Sequence, residues 1–323
     1  MKNLRRKLFT GASVTALGLT AAAAASHAAT RRLVKIAVDR ECPIAVTPKA
    51  RMRFTGSAGC AEFWQVAEEA AQCLLKAPTQ PITLTARDGE HLTAHWYPCE
   101  NPQRIVLAMH GWRSAWNRDF GMIADFLHQN RCSILFAEQR GQGESGGNCM
   151  GLGALERYDC ADWAAWLSEK EPKLPIYLAG VSMGATTVLL AAGLPLPEQV
   201  RGIIADCGFT SPYDIGKHVV RNNLHMSFSL RARAADRLCR RKNHEGIRSC
   251  STVDALRDSQ IPVLFVHGTD DSFVPVSMTY KNYEACTAPK ELLIVPGAEH
   301  GMSYFTEPER YQKALQDFWN RYP

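Results

Sequence analysis

An α/β fold, with a mostly parallel sheet covered by helices on both faces, is what this sequence predicts, and three observations carry the expectation. From residue 105 onward, short apolar runs rich in β-forming residues alternate with longer helix-like stretches. The runs are continuous rather than alternately polar and apolar, as in strands buried on both faces. Ahead of them, Asp88-Gly89 separates Ile82–Ala86 from His91–Tyr97, a tight-hairpin signal that adds an antiparallel edge.

Taken in chain order, Lys2, Arg5, Arg6 and Lys7 precede an uncharged, Ala-rich stretch from Leu8 to Ala29. That is the form of an export signal or a membrane anchor. Ser26-His27-Ala28 fits a small-residue cleavage site, and the stretch is also long enough to span a bilayer, for which about 20 residues suffice. Residues 1–30 are therefore expected to export the chain or to hold it on a membrane, with a cytoplasmic helix as the third reading. Residues 31–80 read as a helical extension: Leu33, Ile36 and Ala37 are spaced for one amphipathic turn, and Phe63, Val66, Ala67, Ala70, Cys73 and Leu74 make a longer stripe.

The main domain is expected over 81–323. After the hairpin, strands are expected at Ile105–Met109, Ser133–Ala137, Ile176–Ala179, Ile203–Ala205, Val263–Val266 and Leu292–Val295. Helices are expected at Phe120–Gln129, Leu155–Ser168, Ala185–Ala192, Met278–Cys286 and Glu309–Tyr322. The interval from Asp206 to Ile261 is far longer than one crossover helix needs, so about residues 211–259 read as an inserted helical lid. Its centre holds Arg231, Arg233, Arg237, Arg240, Arg241 and Lys242, which suit a solvated helix face or a surface attractive to anions.

The 323 residues, 46% of them hydrophobic, are ample for a sizeable core, and a net charge of +5 is mild. No zinc-finger spacing, P-loop or HExxH motif occurs, and no glycine-rich dinucleotide fingerprint opens a helix directly after a strand, so neither nucleic-acid binding nor a metal or cofactor is expected. The eleven cysteines are scattered without a CxxC pair and read mostly as core thiols, Cys132 and Cys207 among them. This usage pulls against an oxidising extracellular location.

The chemistry concentrates at the carboxyl ends of the expected strands, where open α/β sheets bind ligands. Gly180-Val181-Ser182-Met183-Gly184 is a GxSxG pentapeptide between a strand and a helix. A serine hydroxyl is a weak nucleophile at neutral pH, and a sharp strand-to-helix turn exposes it to a base beside free backbone N–H groups. Asp271 and His300 follow later strands, completing the chain order nucleophile, acid, base. Asp270 and Asp206 are rival acids on spacing and strand position, whereas His110 and His267, each followed by glycine directly after a strand, read as turn or core histidines.

With HGW at 110–112, RGQGES at 140–145, GVSMG at 180–184, HGTDDSFVP at 267–275 and GAEHG at 297–301, the chain from Pro81 onward resembles the α/β-hydrolase superfamily. Within it, the motifs are similar to those of bacterial serine hydrolases related to monoacylglycerol lipases and serine aminopeptidase-like (S33-type) enzymes. The resemblance implies Ser182 as nucleophile, His300 as general base and Asp271 as its orienter. It further implies an oxyanion site made by the backbone N–H groups of Trp112 and Met183. Glu138 stands where such enzymes usually carry aspartate. The expected activity is cleavage of carboxylic esters, or amides, in a small-molecule substrate, without a cofactor. Acyl transfer and peptidase activity on the same residues, or a membrane-anchored binding module that has kept the fold, remain alternatives.

Overall fold

The computed structural model describes residues 23–42 and 60–323. Most of the expected signal or anchor segment, 1–22, therefore lies outside the described residues. Residues 23–38 form one helix, α1, which crosses the expected boundary at residue 30. Among the described residues no helix is long and apolar enough to cross a membrane.

The next helix, α2 (Ala61–Leu75), buries Phe63, Ala67, Ala71 and Leu74. Val66 and Cys73, expected on its apolar stripe, are exposed. The reason is geometric: 63, 67, 71 and 74 follow the i, i+4, i+8, i+11 row of one helical face, and 66 and 73 fall beside it.

Eight strands form a single sheet: β1 (Gln80–Thr85), β2 (His91–Tyr97), β3 (Arg104–Met109), β4 (Cys132–Ala137), β5 (Ile176–Val181), β6 (Val200–Asp206), β7 (Val263–Gly268) and β8 (Lys290–Val295). Their order is β1-β2-β4-β3-β5-β6-β7-β8. β2 pairs antiparallel with β1 and β4, and all pairings from β4 to β8 are parallel.

Because successive side chains of a strand point to opposite faces, each central strand feeds two cores. Ile105, Leu107, Val263 and Phe265 pack on one side, where α4 (Glu156–Lys170) contributes Trp163 and Leu167, and α5 (Met183–Ala191) contributes Val188 and Leu189. Val106, Ala108, Leu264 and Val266 pack on the other, against Phe120 and Leu127 of α3 (Trp116–Gln129) and Leu315 and Phe318 of α11 (Pro308–Arg321). All nine residues of α5 are buried, so it runs through the interior rather than along the surface.

Between β6 and β7 lie α6 (Pro212–His218), a π-turn (Val219–Asn223), α7 (Ser229–Asn243) and α8 (Thr252–Asp258). Ser211 caps α6 by accepting a hydrogen bond from the Asp214 amide at 3.0 Å. Leu256 of α8 joins the sheet-side core, which makes α8 the crossover cover of the sheet and trims the expected insertion at its C-terminal end. Phe228, Ala232, Cys239 and Ile247 instead pack against Val34 and Val38 of α1. Two segments far apart in sequence thus share one small apolar cluster above the strand ends. The remaining short helices, α9 (Ser277–Ala285) and α10 (Ser303–Thr306), follow β7 and β8.

Five of the eleven cysteines are buried and none is in a disulfide. Fewer are core thiols than the sequence suggests, since Cys60 and Cys73 on α2 and its cap are exposed. Burial pushes the Cys132 thiol up to about 11 and that of Cys239 up to about 12, which keeps both protonated and unreactive at neutral pH.

Candidate active site

The sheet order reverses between β3 and β5, and the crevice there opens at the strands' carboxyl ends. The β3 end delivers His110-Gly111-Trp112 and the β5 end delivers Ser182.

Ser182 sits at φ 56°, ψ −115°, a region side-chain-bearing residues rarely occupy. Its amide donates to the Asp206 carbonyl at 2.8 Å, and the Ser182 carbonyl accepts from the Thr186 amide at 3.0 Å, so the strand turns into α5 within one residue. Such a turn lifts the hydroxyl clear of the sheet. It also forces close backbone passage. A Cβ on Gly180 would collide with the Gly184 backbone, and one on Gly184 with the carbonyls of Met109 and His110. Gly184→Ala is therefore expected to destabilise the fold by about 2 kcal/mol or more, because overpacking against main chain relaxes poorly. A urea unfolding midpoint equal to that of wild type would contradict this.

His300, half-buried on the loop after β8, places Nε2 2.9 Å from Ser182 Oγ and Nδ1 2.7 Å from Asp271 Oδ2. Its loop is braced from outside the sheet: Met302 packs with Phe63 and Ala67 of α2. Asp271 is buried and well supplied with donors. Its Oδ1 accepts from the amides of Val274 at 2.8 Å and Phe273 at 3.0 Å, and its Oδ2 lies 3.1 Å from His267 Nε2 as well as facing His300. Burial pushes the Asp271 carboxyl up, but the His300 charge and the hydrogen bonds from His267 and His300 outweigh it and hold the group well below the ordinary carboxylate range. For His300 the signs reverse. Burial lowers its pKa, while the Asp271 carboxylate and hydrogen bond, with Asp206 and Asp119 further off, raise it above the ordinary histidine value.

The rivals fall elsewhere. Asp270 is exposed and accepts from the Thr269 hydroxyl at 2.7 Å. Asp206 is buried, accepts from the Ser303 hydroxyl at 3.1 Å, and is pushed up by burial. His110 is a buried turn residue: Nδ1 lies 2.9 Å from the Gly111 carbonyl, and Nε2 accepts from the Gln139 amide at 3.1 Å. Those partners fit a neutral ring with its proton on Nδ1, and burial lowers its pKa. His267 is fully buried beneath Asp271, with Nδ1 2.6 Å from the Thr279 hydroxyl. Glu138 bonds His95 at 2.9 Å and accepts from the Glu144 amide, so the longer side chain is absorbed within the RGQGES turn.

Met183 opens α5 directly after Ser182, and Trp112 lies on the loop after β3. Among the described residues, neither backbone N–H has an acceptor, which leaves both free for a ligand oxygen. Trp112 and Ser182 line one apolar cavity of about 930 Å³, its open mouth included. None of the α7 arginines or Lys242 lines it; Ala235 and Cys239 do. Arg240 pairs with Asp236 at 3.0 Å and Lys242 with Asp39 at 2.5 Å. The basic residues of α7 thus face away from the cavity.

Two contributions escaped the sequence reading. Helix α1 forms a cavity wall, through Leu33 to Val38, and Arg113 binds the end of that helix. The amphipathic turn at 33–37 signalled a packed helix but not its partner. Arg113 carried no signal, since a guanidinium gathering backbone carbonyls leaves no sequence pattern.

Residues 100–244 match the family model of serine aminopeptidase, S33 (Hydrolase_4). Among curated proteins the chain is similar to the uncharacterized protein YqkD of Bacillus subtilis, 31% identical over 187 residues, spanning 58% of this chain and 61% of YqkD. The chain thus covers less than two thirds of YqkD. It is also similar to the uncharacterized protein YfhR of Salmonella typhimurium, 26% identical over 239 residues, 69% of this chain and 75% of YfhR. The Pyrococcus furiosus esterase Pf2001 superposes with a TM-score of 0.63 at 19% identity, covering 77% of this chain and 93% of that one. At that identity the likeness is one of fold. The chain has the α/β-hydrolase fold, and its residues 100–244 are similar to the S33 serine aminopeptidase family.

Proposed function

We propose that the protein is a serine hydrolase that cleaves carboxylic esters through an acyl-enzyme on Ser182. The observation that carries this reading is the His300 imidazole, which bridges Ser182 Oγ at 2.9 Å and the buried Asp271 carboxylate at 2.7 Å. With Asp271 ionised, His300 keeps its proton on Nδ1 and presents a basic Nε2 to the hydroxyl.

The steps follow from that arrangement. Ser182 Oγ attacks the ester carbonyl as His300 Nε2 takes the hydroxyl proton, and the oxyanion formed is held by the Trp112 and Met183 N–H groups. Collapse of the tetrahedral intermediate expels the alcohol, which receives the proton from His300. Water then attacks the acyl-enzyme, again giving its proton to His300. A second collapse returns that proton to Ser182 and frees the carboxylic acid. Asp271 stays ionised throughout and stabilises the transient imidazolium.

The test is a pre-steady-state assay with p-nitrophenyl acetate. An acyl-enzyme route with slow deacylation gives a burst of p-nitrophenol close to one per Ser182. A folded protein that hydrolyses neither p-nitrophenyl acetate nor its longer-chain p-nitrophenyl homologues would overturn the reading. The pH profile carries a signed expectation. His300 must be neutral to act as base, and its pKa is raised, so kcat/KM is expected to fall on the acid side with a midpoint above about 6.5. An acid limb centred near 4 would point to a carboxylate as the base instead.

A further inference from the structure

The cavity that begins at Ser182 has walls from two distant parts of the chain. One is α1, through Leu33, Val34, Ile36, Ala37 and Val38; the other is the β6–β7 segment, through Ile215, Val219, Phe228, Ala235 and their neighbours. Among the described residues no charged side chain lines it. A charged or polyhydroxylated acyl group would lose its hydration there without gaining partners. A straight hydrocarbon chain suffers no such loss, and each methylene buried adds about fourfold in binding.

The α1 wall is not loosely applied. The last turn of a helix leaves carbonyls without intrahelical donors, and here the loop after β3 collects them. The Trp112 indole Nε1 donates to the Ala37 carbonyl at 2.8 Å. The Arg113 guanidinium donates to the carbonyls of Ile36 at 2.8 Å, Asp39 at 2.5 Å and Arg40 at 3.2 Å. Beyond the helix, Arg40 donates to the Ser145 and Gly143 carbonyls at 2.6 Å, and its amide and the Val38 carbonyl pair with Asn148 and Met150. Asp39 meets Lys242 of α7 at 2.5 Å, which ties the two walls together. Helix α1 is thus held by the very loop that carries the Trp112 amide, and by the opposite wall of the cavity.

We infer that helix α1 is the specificity-determining wall of an acyl-binding pocket that takes an unbranched apolar chain, with Leu33 to Val38 setting the length accepted. The inference rests on the serine-hydrolase reading and deepens it. Cleavage after Ala28 would leave this wall on the mature chain, so the assignment holds for a processed and an unprocessed protein alike.

The experiment uses the full chain and p-nitrophenyl esters from acetate to dodecanoate, with labelling by a small fluorophosphonate as a separate readout. Ala37→Phe, which fills the cavity from α1, is expected to lower the kcat/KM ratio of decanoate to acetate at least tenfold and to move the optimum to shorter chains. Ala235→Phe, from the opposite wall, is expected to move it the same way. Leu33→Ala, which removes volume and adds no clash, is expected to shift the optimum to longer chains, and so keeps the inference testable if Ala37→Phe does not fold. Labelled α1 variants with the wild-type chain-length profile would overturn the assignment, as would a shift produced by Ala235→Phe alone. Failure of the folded wild type to label counts against the hydrolase reading itself, which the chain-length ratio does not address.

Discussion

Ser182→Ala is expected to lower ester turnover by about a millionfold and to abolish fluorophosphonate labelling, while the folded structure persists. The size of the loss follows from the unit the residues form. Without Oγ, His300 has no hydroxyl to deprotonate, and Asp271 has no imidazolium to stabilise, so single removal of the nucleophile costs about as much as removal of the whole unit. Residual catalysis would come from the Trp112 and Met183 amides acting on a bound ester. Persistence of the fold follows from backbone geometry. The strained φ of 56° is fixed by the Ser182 amide on the Asp206 carbonyl and by close glycine packing, none of which requires the hydroxyl. A variant that retains a tenth of wild-type turnover would place the nucleophile elsewhere.

Asp271→Asn is the second large effect, expected to lower kcat by about four orders of magnitude. The carboxylate accepts from the Phe273 and Val274 amides on one oxygen and faces His267 and His300 on the other. An amide offers only one oxygen for these donors, and its NH2 group turned toward His300 would favour the tautomer with the proton on Nε2, where it cannot act as base toward Ser182. The charge is lost as well. Since Asp271 is the main influence raising the His300 pKa against burial, the acid limb of the residual activity is expected to move to lower pH. That displacement separates an orienting role from a purely structural one: a variant that merely loosened the fold would lose activity at an unchanged midpoint. Full activity in Asp271→Asn, or a comparable loss in Asp270→Asn, would instead favour the exposed neighbour.

The sheet was legible because its strands are continuous apolar runs, whose buried state requires cover on both faces. Expected strands such as Ile105–Met109 and Leu292–Val295 lie within the observed Arg104–Met109 and Lys290–Val295. The meeting of Ser182, Asp271 and His300 was legible for a related reason: strand ends fix where loops emerge, so their order already implied one crevice. Choosing Asp271 over Asp270 needed the HGTDDSFVP resemblance, since adjacent aspartates are indistinguishable by composition. What the sequence left dark was docking between distant segments. Val66 and Cys73 have the right chemistry for the α2 stripe and fall off its face by their angular position. Leu256, counted within the insertion, turns down to the sheet core. The seating of α1 on Trp112 and Arg113 depends on backbone carbonyls, which every residue carries, and so has no signature in residue types.

The central claim, that Ser182 becomes covalently acylated with His300 as its base, is tested most directly by peptide mass spectrometry of the wild-type protein after reaction with a fluorophosphonate. One adduct per chain on Ser182, formed at a rate that falls as pH drops through the His300 midpoint, is the predicted result. An adduct on a different residue, or a folded protein that stays unmodified across the pH range, would contradict it.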